Sequence, residues 1–208
     1  MPRWRDEAKL LWTMGYELAN VHLTTMTILE DILSEEECER LIDLYECHCD
    51  RAPMRDYGHR PLLDYYTIRE RDTESADWLY GVSLRCKEKI EVDLHIAQLL
   101  VESFYITCLV PGDSHPPHAD NERQEGDGWV PNHTPQRDYT AIAYLNNGFT
   151  GGDLVFPDRD LVITPRPGLL VGFPCNHEFV HGVPPVVSGK RYSLPIWFTF
   201  DRTKAIQL

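Results

Sequence analysis

From Leu99 onward the chain is cut into short apolar or alternating runs punctuated by Gly, Pro and Asn, and this half sets the fold class. The runs are LLVESFYITCLVPG, DYTAIAYLNN, GDLVFP, LVIT, GLLVGF, PPVV and KRYSLPIWFTF. Turn signals at this density predict a β-sandwich or open barrel.

The front half has a different texture. Ser34-Glu35-Glu36-Glu37 is a capping box, with Ser34 as N-cap and Glu37 reaching back from the third helical position. Cys38, Leu41, Ile42 and Tyr45 follow at helical spacing, so this helix should bury one stripe. A second helix is expected from about Ser75 to Ile96, with Trp78, Val82, Cys86, Ile90 and Leu94 as its apolar face. The first twenty residues are read as a further short helix. Residues 51–72, rich in Arg, Pro and Tyr, are read as a loop or an irregular strand pair. No repeat, low-complexity tract or linker divides the chain. Helices packed outside a double-sheeted barrel account for all of it: one domain over 1–208, with a helical front to about residue 98 and a β core over about 99–202.

At 208 residues such a domain buries a substantial core without disulfides. A formal charge of −13 argues against nucleic acid as partner, because that affinity comes mainly from Lys and Arg on phosphates. It equally disfavours an anionic membrane surface. No run approaches the roughly 18–20 apolar residues that cross a bilayer. The first twenty residues carry charge throughout and lack the apolar stretch of a secretory signal. A cytoplasmic location is therefore expected, with the six cysteines as thiols. Cys47-His48-Cys49 has one residue between its cysteines, where zinc sites usually have two to four, and is read as plain helix.

The residues that carry chemistry lie in the strand-rich half. In His118-Ala119-Asp120, residues i and i+2 of a strand point to one face, so both can reach a single metal while Ala119 faces away. His181, in VHGVPPVV, is placed to close the site from another strand. Two imidazoles and one carboxylate leave coordination positions open, the ligand set of non-haem Fe(II) oxygenases. Alone, a His-x-Asp pair arises by chance in a chain with nine histidines. On the strand after Ser188-Gly189, Arg191, Ser193, Pro195 and Trp197 share one face, and Tyr192, Leu194, Ile196 and Phe198 the other. A guanidinium facing a barrel interior requires an anion: an internal Asp or Glu, or a carboxylate ligand held bidentately. Ser193 can add a hydrogen bond from the same face. Thr140, Ile142 and Tyr144 alternate onto one face of the preceding strand, where Tyr144 is either a second donor to that carboxylate or a core tyrosine.

The ordered segments SHPPHADN, RDYTAIAYLN, FTGGDLVFP, PRPGLLVGF and HGVPPVVSGKRYSLPIWFTF, spanning about 114–199, resemble the catalytic domain of 2-oxoglutarate- and Fe(II)-dependent prolyl hydroxylases. Within that superfamily they most resemble the prolyl 3-hydroxylase, or leprecan, type. The resemblance implies a double-stranded β-helix, a distorted jelly roll with flanking helices. It implies iron held by His118, Asp120 and His181, and the distal carboxylate of 2-oxoglutarate held by Arg191, with Tyr144, Thr140 and Ser193 assisting. O2 would be the oxidant and ascorbate the reductant. A carboxylate at Asp120 favours hydroxylation over halogenation, since related halogenases carry a small residue there. Ser193 stands where many such proteins have alanine.

Two substrate classes follow: proline or a similar residue in a peptide or protein, and a free amino acid or small metabolite. Tyr57, Tyr65, Tyr66 and the arginines between Arg51 and Arg71 are candidates for a lid over either. A nucleic-acid demethylase of the AlkB type would need a further arginine where this chain has Ser193-Leu194-Pro195-Ile196-Trp197. The residues leave the oligomeric state open.

Overall fold

The structure, a computed structural model, describes residues 25–49 and 61–207. The helix expected in the first twenty residues lies outside that set, as do Tyr57 and most of the loop around it. Fourteen strands and three α-helices occupy the described chain.

Helix α1, Glu35–His48, starts where the capping box places it. Ser34 Oγ accepts from the Glu37 amide at 3.2 Å, and the Ser34 amide donates to Glu37 Oε2 at 3.0 Å. Two of the orphan donors of a helix start are thereby satisfied reciprocally. The Cys47-His48-Cys49 segment ends this helix, as expected of plain helix residues.

Residues 61–72 do not form the expected loop or strand pair. Leu62–Asp64 is a strand, β2, and Asp64 caps a short helix α2, Tyr65–Arg69, by accepting from the Thr67 amide at 2.8 Å. Tyr65 is buried against Phe104 and Tyr80, so it is a core residue rather than part of a lid; Tyr66 is exposed. Helix α3 spans Thr73–Leu94, beginning two residues before the expected Ser75 because Asp72 supplies the cap, accepting from the Ser75 amide at 3.0 Å. Its buried stripe adds Ala76, Leu79 and Ser83 to Val82, Cys86, Ile90 and Leu94, while Trp78 lies at its margin beneath the Arg40 guanidinium.

The strands form two principal antiparallel sheets. The larger takes Thr27–Leu29 (β1), Leu170–Pro174 (β11), Tyr139–Tyr144 (β7), Arg191–Thr199 (β14), Leu100–Leu109 (β3) and β2, in that spatial order. The smaller takes Leu161–Ile163 (β10), Leu154–Phe156 (β9), His181–Val183 (β12) and His115–His118 (β4). Two two-stranded antiparallel pairs complete the set: Thr150–Gly151 (β8) with Val186–Ser188 (β13), and the hairpin of Glu122–Glu125 (β5) with Gly128–Pro131 (β6). This is the double-stranded β-helix expected.

Every residue of β14 is buried, because it has a packed layer on both faces. Tyr192, Leu194, Ile196 and Phe198 join Leu41, Leu44, Val82, Cys86 and Ile90 in one core between the large sheet and the helices. Ile142, Tyr144, Leu154, Phe156, Val171 and Phe173 form a second core between the two sheets. Pro195 sits in this central strand without a backbone N–H to give. The ladder from β14 to β7 is continuous through it, while the ladder to β3 skips Leu194 and Pro195, so the missing donor falls where no bond is made.

Replacing Ser34 by alanine removes one arm of the box and should cost about 1 kcal/mol. At this chain length that corresponds to a fall of about 2–4 °C in Tm, readable by calorimetry or circular dichroism.

Candidate active site

The His118–Asp120 segment differs from the strand expected there. Strand β4 stops at His118, and Asp120 lies in the bend that follows. The Cys175 carbonyl fixes that bend by accepting from the Asp120 and Asn121 amides at 2.9 and 3.1 Å. His181 stands directly opposite His118 in the β12–β4 ladder, with ring centroids 4.5 Å apart.

Candidate ligand atoms of His118, Asp120 and His181 lie within 4.8 Å of one another, and among the described residues this is the group able to hold a metal ion. His118 Nε2 is 3.8 Å from Asp120 Oδ1, and His181 Nε2 is 3.8 Å from Asp120 Oδ2. The opposite ring nitrogens are engaged: His118 Nδ1 with the Pro116 carbonyl at 2.9 Å, and His181 Nδ1 with the Phe179 carbonyl at 3.0 Å. A carbonyl only accepts, so both Nδ1 atoms carry the proton and both Nε2 lone pairs face the centre. Burial pushes the His181 pKa down to about 4, against the pull of Asp120, which keeps the ring in its ligating form. Burial opposes a charged Asp120, yet the facing imidazoles and the Thr140 hydrogen bond hold its pKa below the ordinary value. The His118 side chain is 43 % exposed and that of His181 7 %, so the centre opens to solvent on the His118 side.

Thr140 takes a different place from the one the resemblance implies. Its hydroxyl lies 2.6 Å from Asp120 Oδ2 and 3.0 Å from Cys175 Sγ, all buried. An ionised carboxylate only accepts, so Thr140 gives its single proton to Asp120 and accepts from the Cys175 thiol. The thiol's pKa is raised well above normal by burial and the nearby Asp120 charge, which keeps it a donor. Thr140 therefore orients the carboxylate of the triad. It also lies four residues, about 13 Å, along β7 from Tyr144, too far to assist there.

Arg191 is 3 % exposed and faces the interior between the sheets. Its Nε donates to the Gly152 carbonyl at 2.7 Å and its Nη1 to Ser193 Oγ at 3.3 Å, and the guanidinium lies 5.1 Å from the Tyr144 ring centre. Among the described residues no carboxylate forms an ion pair with it. Gly152 has φ +68°, and a Cβ there would come within 3.0 Å of Arg191 Cδ. Strand register sets Thr107, Ser193 and Tyr144 in one row across β3, β14 and β7. The Thr107 and Tyr144 hydroxyls are both buried and neither finds an acceptor for its proton. Burial raises the Tyr144 pKa to about 12, with Arg191 pulling the other way, so the phenol stays a donor at neutral pH. A buried cation beside unpaired hydroxyls is the donor set a carboxylate ligand requires. The residue pattern alone singles out Arg191, Ser193 and Tyr144, whereas Thr107, Gly152 and the Cys175–Thr140 link emerge only from the strand register and the packing.

Residues 104–199 match the 2OG-Fe(II) oxygenase superfamily. The matched segment, just under half of the chain, runs from β3 to the end of β14 and includes the whole triad and Arg191. Human prolyl 3-hydroxylase 2 is 26 % identical over 237 residues, covering 95 % of this chain and 33 % of its own length. Human prolyl 3-hydroxylase 1 is 27 % identical over 222 residues, covering 91 % and 30 %. The chain thus spans about a third of these relatives. Among solved structures, a Pseudomonas putida prolyl-4-hydroxylase superposes with a TM-score of 0.62 at 20 % identity, covering 88 % of this chain and 99 % of that one. A Trichoplax adhaerens prolyl hydroxylase in complex with a hypoxia inducible factor peptide fragment gives 0.59 at 16 % identity, covering 98 % and 96 %. These superpositions bear out the double-stranded β-helix. The oxygenase family implies Fe(II) and 2-oxoglutarate, and the triad and the carboxylate-ready row fit both.

Thr140→Val keeps the side-chain shape and removes the proton that anchors Asp120. Loss of such an outer support typically costs about 10–100-fold in metal affinity. Titration of the apoprotein with Mn(II), followed by calorimetry, should show a fall in that range with Tm little changed.

Proposed function

We propose that this oxygenase hydroxylates an unactivated C–H bond, on proline or a similar residue within a peptide or protein. The observation that carries the reading is the pairing of an open two-histidine, one-carboxylate centre with a buried Arg191 that has no described carboxylate of its own. Prolyl hydroxylases recur among both the sequence relatives and the structural neighbours, which supports proline as the residue class and a polypeptide as its carrier. Residues 1–208 then act as one catalytic domain. Cysteines held as thiols fit the cytoplasmic setting expected from the sequence.

In this reading His118, Asp120 and His181 hold the iron on one face. Arg191, with Tyr144 and Ser193, holds the distal carboxylate of 2-oxoglutarate. Bound together, Fe(II) and 2-oxoglutarate supply the oxidising chemistry, one atom of O2 entering the C–H bond and the other the succinate that forms as CO2 leaves; ascorbate serves to return oxidised iron to Fe(II). The protein contributes positioning. The carbonyls of Pro116 and Phe179 fix the ring orientations, and Thr140 fixes the carboxylate. Phe156 and Phe173 wall the buried side, with ring centroids 5.8 and 4.6 Å from the His181 ring, and keep water from it. Substrate approaches from the exposed His118 side.

With Fe(II), ascorbate and 2-oxoglutarate, mass spectrometry should find a product 16 Da heavier among proline-containing peptides. A product only from free amino acids would instead establish a small-molecule hydroxylase. His118→Ala should abolish succinate formation. Arg191→Ala should chiefly raise the 2-oxoglutarate requirement, by about 10–100-fold for the loss of a charge-assisted pair; an unaltered requirement would refute the role given to Arg191.

A further inference from the structure

We infer that Thr107 is a direct ligand of the co-substrate's distal carboxylate and completes a three-hydroxyl cradle around Arg191; this rests on the proposed use of 2-oxoglutarate. Thr107 lies on β3, immediately across from Ser193 on β14, which in turn lies across from Tyr144 on β7. Residues paired in this way present their side chains on one face, with Cβ atoms about 5 Å apart. The Thr107 and Tyr144 hydroxyls therefore flank Ser193 on its two sides, and Arg191, two residues before Ser193, projects from the same face.

Hydrogen bonding in this row is incomplete in a particular way. Ser193 Oγ accepts from Arg191 Nη1, which leaves the serine proton free to donate. Thr107 Oγ1 and the Tyr144 hydroxyl are buried, at 5 % and 0 % exposure, and neither proton has an acceptor, the group beside the Tyr144 phenol being Arg191, which only donates. Native interiors rarely leave one buried hydroxyl unpaired, and two in a single row point to an absent acceptor. A carboxylate offers about four lone-pair sites. The three hydroxyls and the guanidinium can fill them all.

An apolar wall stands beside this row of donors. Leu109, Val183 and Val186 form a small apolar cluster at the same end of the barrel, and Leu109 shares the inward face with Thr107. A row of donors closed by an apolar wall favours an ionised group with a hydrocarbon stem, the shape of the distal half of a 2-oxo dicarboxylic acid.

The test uses the full chain loaded with redox-inert Mn(II), with binding read by calorimetry. The probes are 2-oxoglutarate and 2-oxobutyrate, which lacks the distal carboxylate. Thr107→Val should weaken 2-oxoglutarate by about 10–100-fold, the effect of one hydrogen bond to a charged group, and leave the weaker 2-oxobutyrate unchanged. Thr107→Ser should restore most of the loss. Tm of Thr107→Val without ligand should equal or exceed that of the parent, because the substitution removes an unpaired buried hydroxyl. Equal 2-oxoglutarate affinity in Thr107→Val and parent overturns the inference. So does parallel loss of both compounds, or a lowered Tm, since either would make Thr107 a structural residue. If the parent binds neither compound, the co-substrate reading itself falls, and Thr107 is not what failed.

Discussion

Strand β14 is constrained from both sides, and the rest of the molecule follows from that constraint. It is the meeting place of the two longest ladders, with β3 on one edge and β7 on the other. One of its faces must be apolar enough to hold the helices, and Tyr192, Leu194, Ile196 and Phe198 do this. The other face looks into the space between the sheets, where side chains can be polar only if something satisfies them. A one-residue slip would exchange these faces, placing Arg191 among the helices and Phe198 in the pocket. Register in β14 is therefore fixed by both the core and the site. Folding and binding depend on the same alternation.

The metal centre is organised through the smaller sheet in a complementary way. Pairing of His181 with His118 brings two imidazoles side by side from strands far apart in sequence. The third ligand cannot come from either ladder, because β4 ends at His118. A bend held by the Cys175 carbonyl carries Asp120 back toward the rings, and Thr140 on the large sheet then fixes its carboxylate. Both sheets thus support one centre. The same division appears at Arg191, whose Nε is held by the Gly152 carbonyl beyond the sheet while Ser193 holds its Nη1.

Alternation and capping were legible in the residues themselves. The capping box at Ser34 needs only residues 34–37, and the two faces of β14 need only period two. His118, Asp120, His181 and Arg191 stood out because two imidazoles, a carboxylate and an interior guanidinium share a chemistry. What the sequence could not carry was lateral placement. Thr140 and Tyr144 lie on one face of β7, yet they serve opposite ends of the pocket, and only the position of Asp120 against β7 tells them apart. Thr107 lies in a run that reads simply as a strand, and its significance depends on the β3–β14 register. Tyr65 was misplaced for a related reason: an aromatic in an Arg- and Pro-rich stretch looks like surface until Asp64 is seen to cap a helix that turns the ring inward.

The Thr107 and Tyr144 hydroxyls, neither with an acceptor for its proton, give this placement an energetic meaning. Each buried hydroxyl without an acceptor costs about 1–3 kcal/mol, a sizeable share of the 5–15 kcal/mol by which domains are stable. Selection for stability alone would remove both, through valine and phenylalanine of nearly the same shape. The interior face of β14 and its neighbours instead keeps hydroxyls at Thr107, Ser193 and Tyr144, next to Pro195 and Ile142 along the same face. Such a pattern holds a binding site preorganised, since no side chain has to give up a protein partner when a carboxylate enters. Its cost falls on the free protein, and the ligand recovers it on binding.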